Sequence, residues 1–181
     1  MKGVDPSPCV RVRDAGVGDI EPMCEILNTS LGRPEVSWRE TPATLEDIIA
    51  WFPGGASPKI ELIVGVDAGD RPIGFASAEF YHPASGFRRT ASHGIYCDYH
   101  RRGGGTGTLM LAELRARLQR KGFLTQVARI DASNEPSIRF HRARGFRTVG
   151  KLPGVGVKGD ETRDLVEMMR AIADARPGAF S

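Results

Sequence analysis

The chain has 181 residues, 40% of them hydrophobic and 26% charged, the composition of a single soluble globular domain with one sizeable core. A formal net charge of +3 is too small a surplus to point to nucleic acid, and no apolar run is long enough to span a bilayer. Met1 to Cys9 lacks the basic-then-apolar pattern of a secretory signal, and the scattered Cys9, Cys24 and Cys97 form neither a disulfide framework nor a zinc motif, which places the chain in a reducing cytoplasm with no bound metal.

Residues 1–9 hold two prolines and read as a loose tail. Val10 to Arg13 alternates as a short strand, and Asp14 to Asp19 is a Gly-rich turn. Asp19 is placed to cap a helix that buries Met23, Ile26 and Leu27. After an irregular stretch, 28–42, Thr44 opens a second helix with Leu45, Ile48, Ile49 and Phe52 on one face, stopped by Pro53-Gly54-Gly55. Strands follow at Ile60–Val66, Pro72–Phe80 and Ser92–Tyr99, with a turn at 67–71 and a loop at 81–91. A Gly-rich turn then opens a helix carrying Leu111, Leu114 and Leu118, ended by Gly122. Thr125–Asp131 is a strand, Asn134–Arg144 a helix closed by Gly145, and Phe146–Lys151 with Arg163–Met169 a final antiparallel pair. Residues 10–170 form one domain and 171–181 a C-terminal tail. The order βααβββαβαββ indicates a mixed α/β sheet.

The most informative segment is Arg101-Arg102-Gly103-Gly104-Gly105-Thr106-Gly107-Thr108, between a strand and a helix. Glycines let the backbone turn so that N–H groups converge, and the helix start adds partial positive charge; together they make a phosphate cradle. As a P-loop it lacks the following Gly-Lys-Ser/Thr, and as a dinucleotide fingerprint it lacks the third glycine and comes in mid-chain. As an RNA-binding segment it lacks a stacking aromatic. A plain flexible loop is the bland alternative.

The pattern Arg102-x-x-Gly105-x-Gly107, entered from Ile95-Tyr96-Cys97, resembles the coenzyme A pyrophosphate signature of the GNAT N-acetyltransferases. Asn134-x-x-Ser137-x-x-x-His141-x-x-x-Gly145-Phe146 is similar to the second GNAT signature, in the expected order and spacing. Finer pieces resemble the phosphinothricin acetyltransferase-like branch: Thr41-Pro42-x-Thr44-Leu45-Glu46, Gly74-Phe75-Ala76-Ser77, Gly86-Phe87-Arg88-x-Thr90, His93-x-x-Tyr96 and Gly156-x-Lys158. The likeness covers roughly residues 10–170. It implies the GNAT fold, a mostly antiparallel twisted sheet with flanking helices and a splayed central strand pair. It also implies acetyl-CoA as donor, a small amino-acid-like or phosphinate-bearing amine as acceptor, and a homodimer. Three positions depart from the branch: Ser92 stands where it has Glu, His82 where it often has Arg, and Thr162 where it has Trp.

On this resemblance the coenzyme contacts are Ile95, Tyr96, Cys97, Arg102, Gly103, Gly104, Gly105, Thr106, Gly107, Thr108, Asn134 and Ser137. Acetyl transfer needs a neutral amine, a polarised thioester carbonyl and a proton for the departing thiolate. Amides of the strand 95–97 are the expected oxyanion donors, and that strand the expected partner of the pantetheine arm. His141 is the expected general acid or thiol-side hydrogen bonder. His93 relays a proton through water, holds the acceptor, or is a packed core histidine. Ser92 is no carboxylate base; its hydroxyl orients water at best. If 72–80 pairs with 92–99, Glu79 lies near the 92–93 end and is a candidate for the missing carboxylate. Trp38, Tyr81, His82 and Arg88 are the acceptor candidates, two as an apolar wall and Arg88 as a carboxylate or phosphinate partner. Two other functions stay open: a coenzyme-binding protein that has lost catalysis, and a peptide or protein N-acetyltransferase.

Overall fold

The computed structural model describes residues 10–101 and 104–172. The elements run β1 (Arg11–Asp14), α1 (Ile20–Asn28), α2 (Leu45–Ile49), β2 (Glu61–Val66), β3 (Pro72–Phe80), β4 (Thr90–Cys97), α3 (Thr106–Arg120), β5 (Thr125–Asp131), α4 (Glu135–Arg142), β6 (Arg147–Lys158) and β7 (Glu161–Ala171), with short 3-10 turns at Val17–Asp19, Ser85–Phe87 and Tyr99–Arg101. One seven-stranded sheet has the order β1-β2-β3-β4-β5-β7-β6. Every neighbouring pair is antiparallel except β4 and β5.

Strand alternation gives the sheet two buried faces. Val64, Val66 and Phe75 pack with Met23, Ile26 and Leu27 of α1 and Ile48 of α2. Ile63, Ala76 and Ala91, on the other face, pack with Met110, Leu114 and Leu118 of α3. Ala128, Ile130 and Met168 continue that second face under Ile138 of α4 and Phe146.

The helix starts differ in how they are closed. Thr44 and Asp47 make a reciprocal capping box on α2. Asp19 sits at the N-cap of α1, but its carboxylate turns away from the helix to accept from Arg13 at 2.6 Å and Gly16 N at 2.7 Å. The helix expected through Phe52 ends at Ile49, and the residues after it continue as turns. The final hairpin is longer than expected. The strand expected to stop at Lys151 runs on to Lys158: β6 is an edge strand, where Pro153, without an N–H, is tolerated, and its register slips between Leu152 and Gly156 instead of ending. The packed fold reaches Ile172, which is buried and donates to Leu124 O at 2.9 Å. The expected tails therefore fall almost wholly outside the described residues.

Candidate active site

The sheet opens between its two parallel strands. β4 and β5 pair from Thr90↔Thr125 to His93↔Ala128 and then part. β4 keeps its β3 partners as far as Cys97, and β5 keeps its β7 partners as far as Asp131. The main chain of Gly94 to Tyr96 thus turns an edge without a β5 partner to the gap, the kind of edge to which an extended amide-bearing chain adds. A cavity lies on each side of this gap, of about 420 Å³ and about 550 Å³.

The first cavity is closed by the start of α3. Gly105 caps it with φ of +80°, a left-handed conformation that favours glycine, and offers no side chain to the helix end. The first intrahelical bond here is Leu109 N to Gly105 O at 3.1 Å, so the preceding N–H groups lack a helical acceptor. Thr106 Oγ1 is buried without a hydrogen-bond partner among the described residues. Arg33, Arg101 and Arg144 also line this cavity. Arg101 donates to Asp67 at 2.6 Å; Arg144 donates to Thr108 Oγ1 and lies 3.8 Å over the Phe140 ring. Orphan amides, an unsatisfied buried hydroxyl and guanidinium groups around one helix start fit a diphosphate. Arg102 and Gly103 lie outside the described residues.

The second cavity is walled by the 29–42 segment, which other elements hold in place. Trp38 Nε1 donates to Asp131 Oδ2 at 2.7 Å, and Lys158 Nζ donates to Leu31 O at 2.7 Å and Ser37 O at 2.6 Å. Asn134 ties the same segment to α4: its Nδ2 donates to Glu35 O at 2.8 Å while its Oδ1 accepts from Ser137 N at 3.1 Å. Burial alone would raise the Asp131 carboxyl, but hydrogen bonds from Ser133 Oγ and N and from Trp38, with Arg163 nearby, carry it below its ordinary value. Arg39 and Arg129 line this cavity together with Glu35 and Asp131, Arg39 paired with Asp47 and Arg129 with Glu79.

The two cavities share Val36, Ile95, Tyr96, Asn134, Ser137 and His141. His141 stands against His93, with Nε2 to Nε2 at 3.1 Å. The outer nitrogens meet main-chain carbonyls: His93 Nδ1 lies 2.9 Å from Val127 O, and His141 Nδ1 lies 2.8 Å from Ser137 O. The Phe146 ring packs on both imidazoles. Burial, with His141 beside it, pushes the His93 pKa down to about 3 against the opposing pull of Val127 O. Burial also lowers that of His141, with Ser137 O opposing and Arg144 adding to the shift.

Among the other residues singled out from sequence, Cys97 and Gly105 to Thr108 line the first cavity and Trp38 the second. Gly104 is exposed just before the helix cap. Ser92 is buried opposite Glu79 in the β3–β4 register. By alternation this pair lies on the sheet face away from His93, and the Glu79 carboxylate is engaged by Lys59 and, at 3.2 Å, by Arg129. Tyr81, His82 and Arg88 stand on the β3–β4 loop, outside the walls of both cavities. Tyr81 donates to Glu167 at 3.2 Å, the His82 ring packs 4.8 Å from that of Phe87, and Arg88 donates to Ser85 O at 3.3 Å. Sequence reading missed Arg39, Arg129, Asp131 and Arg144. The Asp131 and Arg129 positions at the open end of a parallel strand carried a signal; Arg39, in an irregular stretch, carried none.

A sheet split between two parallel strands, with an anion cradle on one side and a polar cavity on the other, defines a coenzyme A-dependent acyl transferase. Residues 20–146 match the acetyltransferase (GNAT) family. The chain is 36% identical over 157 residues, 87% of its length and 91% of the relative's, to an L-methionine sulfoximine/L-methionine sulfone acetyltransferase of Pseudomonas paraeruginosa. An N-acetyltransferase from Staphylococcus aureus Mu50 superposes with a TM-score of 0.84 at 30% identity, covering 91% of this chain and 99% of that one. A phosphinothricin acetyltransferase from Sinorhizobium meliloti in complex with AcCoA superposes with a TM-score of 0.84 at 26% identity, covering 94% of each chain. The chain belongs to the acetyltransferase (GNAT) family, in its phosphinothricin acetyltransferase-like branch, and is an acetyl-CoA-dependent N-acetyltransferase.

Proposed function

We propose that the protein acetylates the primary amine of a small amino-acid-like molecule of the phosphinothricin or methionine-sulfone type. The observation that carries this reading is the pair of cavities that meet at His141 and Ser137. The names of the relatives support it, as does a second cavity lined by both arginines and carboxylate residues, a setting suited to a zwitterion. Thr106 to Thr108 hold the diphosphate of the donor, the edge of Gly94 to Tyr96 that β5 leaves pairs with its amide arm, and amides of 95–97 polarise the carbonyl. When bound, acetyl-CoA supplies the activated acetyl group. His141 delivers a proton toward the departing sulfur, and Trp38 walls the acceptor. Arg39 and Arg129 are the cations nearest to an acceptor carboxylate.

Thiol release measured with methionine sulfone, methionine sulfoximine, phosphinothricin and free amino acids tests the reading, together with calorimetry of acetyl-CoA binding. Turnover on one of these amines is expected. Binding without turnover on any amine favours a coenzyme sensor, a reading that Ser92 in place of a carboxylate keeps open; turnover on peptides alone favours a protein N-acetyltransferase.

We also propose a cytoplasmic homodimer. Cys24 and Cys97 carry thiols, and no helix among the described residues is long and apolar enough to cross a membrane. The β6 edge exposes Val149, Val155 and Val157, an apolar strip that a second copy would cover. Light scattering at twice the chain mass supports the dimer; a monomer at micromolar concentration rejects it.

A further inference from the structure

Two arginines line the second cavity, and their surroundings differ. Arg129 donates to Glu79 at 3.2 Å, and Glu79 is itself fixed by Lys59. Burial and Glu167 raise the phenol of Tyr81, which lies outside both cavities, and the Arg129 charge opposes them. Arg129 is thus felt away from the junction of the cavities.

Arg39 is placed otherwise. Its Nη2 donates to Asp47 Oδ2 at 2.7 Å, but that oxygen also accepts from Thr44 N at 3.0 Å to close the capping box of α2. Asp47 does not line the cavity, so Arg39 reaches from α2 to the cavity wall. Arg39 Nε is buried with no hydrogen-bond partner among the described residues, and the guanidinium has donors left to give. The main chain on either side is held: Lys158 donates to Ser37 O at 2.6 Å, Arg39 N donates to Ser37 Oγ at 3.3 Å, and the Trp38 indole is tied to Asp131 at 2.7 Å. Burial pushes the phenol of Tyr96 up, the Arg39 charge opposes it, and Glu79 adds to it. Tyr96 lines both cavities, so the Arg39 charge is felt where they meet.

We propose that Arg39 takes the carboxylate of the acceptor and so confines the enzyme to amines that carry an acidic group on the same carbon, the α-amino acids and their close analogues. The inference rests on the acetyl transfer proposed above. In an α-amino acid the amine and the carboxylate share one carbon, so the cation that holds the acid must stand close to the place where the amine reacts. Arg39 meets that condition and Arg129 does not. The acidic residues of the same cavity do not compete for Arg39: Glu35 is engaged by Arg33 at 3.4 Å, and Asp131 by Trp38 at 2.7 Å and Ser133 at 2.6 Å. His82 and Arg88 stand outside the cavity walls. A guanidinium held in advance by its own main chain loses little freedom when a carboxylate binds it.

The test compares kcat/KM for L-methionine sulfone with that for its decarboxylated amine, in wild type, Arg39→Gln, Arg39→Lys and Arg129→Gln. The readout is the ratio of the two within each protein, which cancels a general loss of activity. Wild type is expected to favour the amino acid. In Arg39→Gln the ratio falls roughly ten- to hundredfold, the size of one charge-assisted hydrogen bond. In Arg39→Lys, which keeps the charge but not the planar fork, it falls roughly three- to tenfold. In Arg129→Gln it moves by less than about threefold. A ratio indifferent to Arg39→Gln, a collapse in Arg129→Gln, or a wild type that does not prefer the amino acid overturns the proposal. Should Arg39→Gln fail to fold, the wild-type ratio with those of Arg39→Lys and Arg129→Gln decides it. Wild type without turnover on any amine sinks the proposed function instead. Calorimetry of L-methionine sulfone with the CoA-loaded proteins then decides the inference: binding by wild type that weakens roughly tenfold or more in Arg39→Gln supports it, and binding that does not weaken, or none at all, overturns it.

Discussion

The indole of Trp38 fills the space in which a side chain at Gly156 would have to sit. A Cβ added there would fall well inside van der Waals contact with three atoms of the ring. The ring is fixed from its other end by the 2.7 Å bond from Nε1 to Asp131 Oδ2. Trp38 therefore has one position, set by the β6–β7 hairpin and by the end of β5, and in that position it lines the second cavity.

Gly156→Ala tests this placement. The methyl group must displace the indole, so the Asp131 bond breaks and the cavity wall shifts. The expected stability loss is about 1–3 kcal/mol, the range for overpacking. Acceptor KM is expected to rise roughly three- to tenfold, the equivalent of one lost hydrogen bond, while acetyl-CoA affinity stays unchanged because the other cavity is untouched. Steady-state kinetics with each substrate varied in turn gives the answer; an equal rise in both KM values counts against it.

Thr106→Val probes the anion cradle. The Thr106 hydroxyl is buried and has no partner among the described residues, so its replacement by an isosteric methyl is expected to leave stability equal or higher. If the hydroxyl serves the diphosphate, acetyl-CoA binds roughly three- to tenfold more weakly. Calorimetry and thermal unfolding on one sample distinguish the two effects. Weaker binding with a stability equal to or above wild type is expected; unchanged binding removes Thr106 from the site.

Much of this architecture was legible in the chain because local chemistry fixed it. β3 and β5 run as the sequence pattern predicts, Pro72–Phe80 and Thr125–Asp131, since turn residues bound them closely. Leu111, Leu114 and Leu118 declare the buried face of α3. What escaped depends on tertiary contact. The His93–His141 contact joins residues 48 apart in sequence, and no local periodicity signals it. Tyr81, His82 and Arg88 were legible as polar and aromatic residues after a strand, but which way a loop folds is decided by its packing, here around Phe87. The strand expected to stop at Lys151 runs on through Pro153, because the rule that forbids proline in a ladder does not apply at an edge.

The histidine pair should make stability depend on pH already between about pH 6.5 and 5, above the range in which the paired carboxylates begin to add their own loss. His93 has an ordinary value of 6.5 when unfolded and about 3 when folded, and that of His141 is also lowered. Between those values the unfolded chain binds more protons than the folded one. The stability that these neutral rings contribute is therefore complete above about pH 6.5 and is lost as pH falls toward 3. The slope approaches about 1.4 kcal/mol per pH unit for each such group. Denaturant unfolding between pH 7.5 and 4.5 should trace it, with a shallower slope in His93→Phe. A flat wild-type curve across that interval would mean that the rings are not buried neutral.

Glu79→Gln settles whether the carboxylate opposite Ser92 takes part in proton transfer. Register places Glu79 directly across from Ser92, which makes it the nearest acidic residue to the vacated position along the strand pair. Its geometry argues for another role. Oε2 is bound by Lys59 and Oε1 by Arg129 at 3.2 Å, and the side chain projects on the face of the sheet away from His93. An amide at this position keeps the shape but gives up both ion pairs, releasing Arg129, which lines the second cavity. The expected result is an unchanged pH–rate profile for kcat, with acceptor KM altered severalfold in either direction as Arg129 finds a new partner. A missing limb in the profile would instead make Glu79 a proton acceptor, acting through water across the strand pair, and His141 would then be left with the thiolate alone.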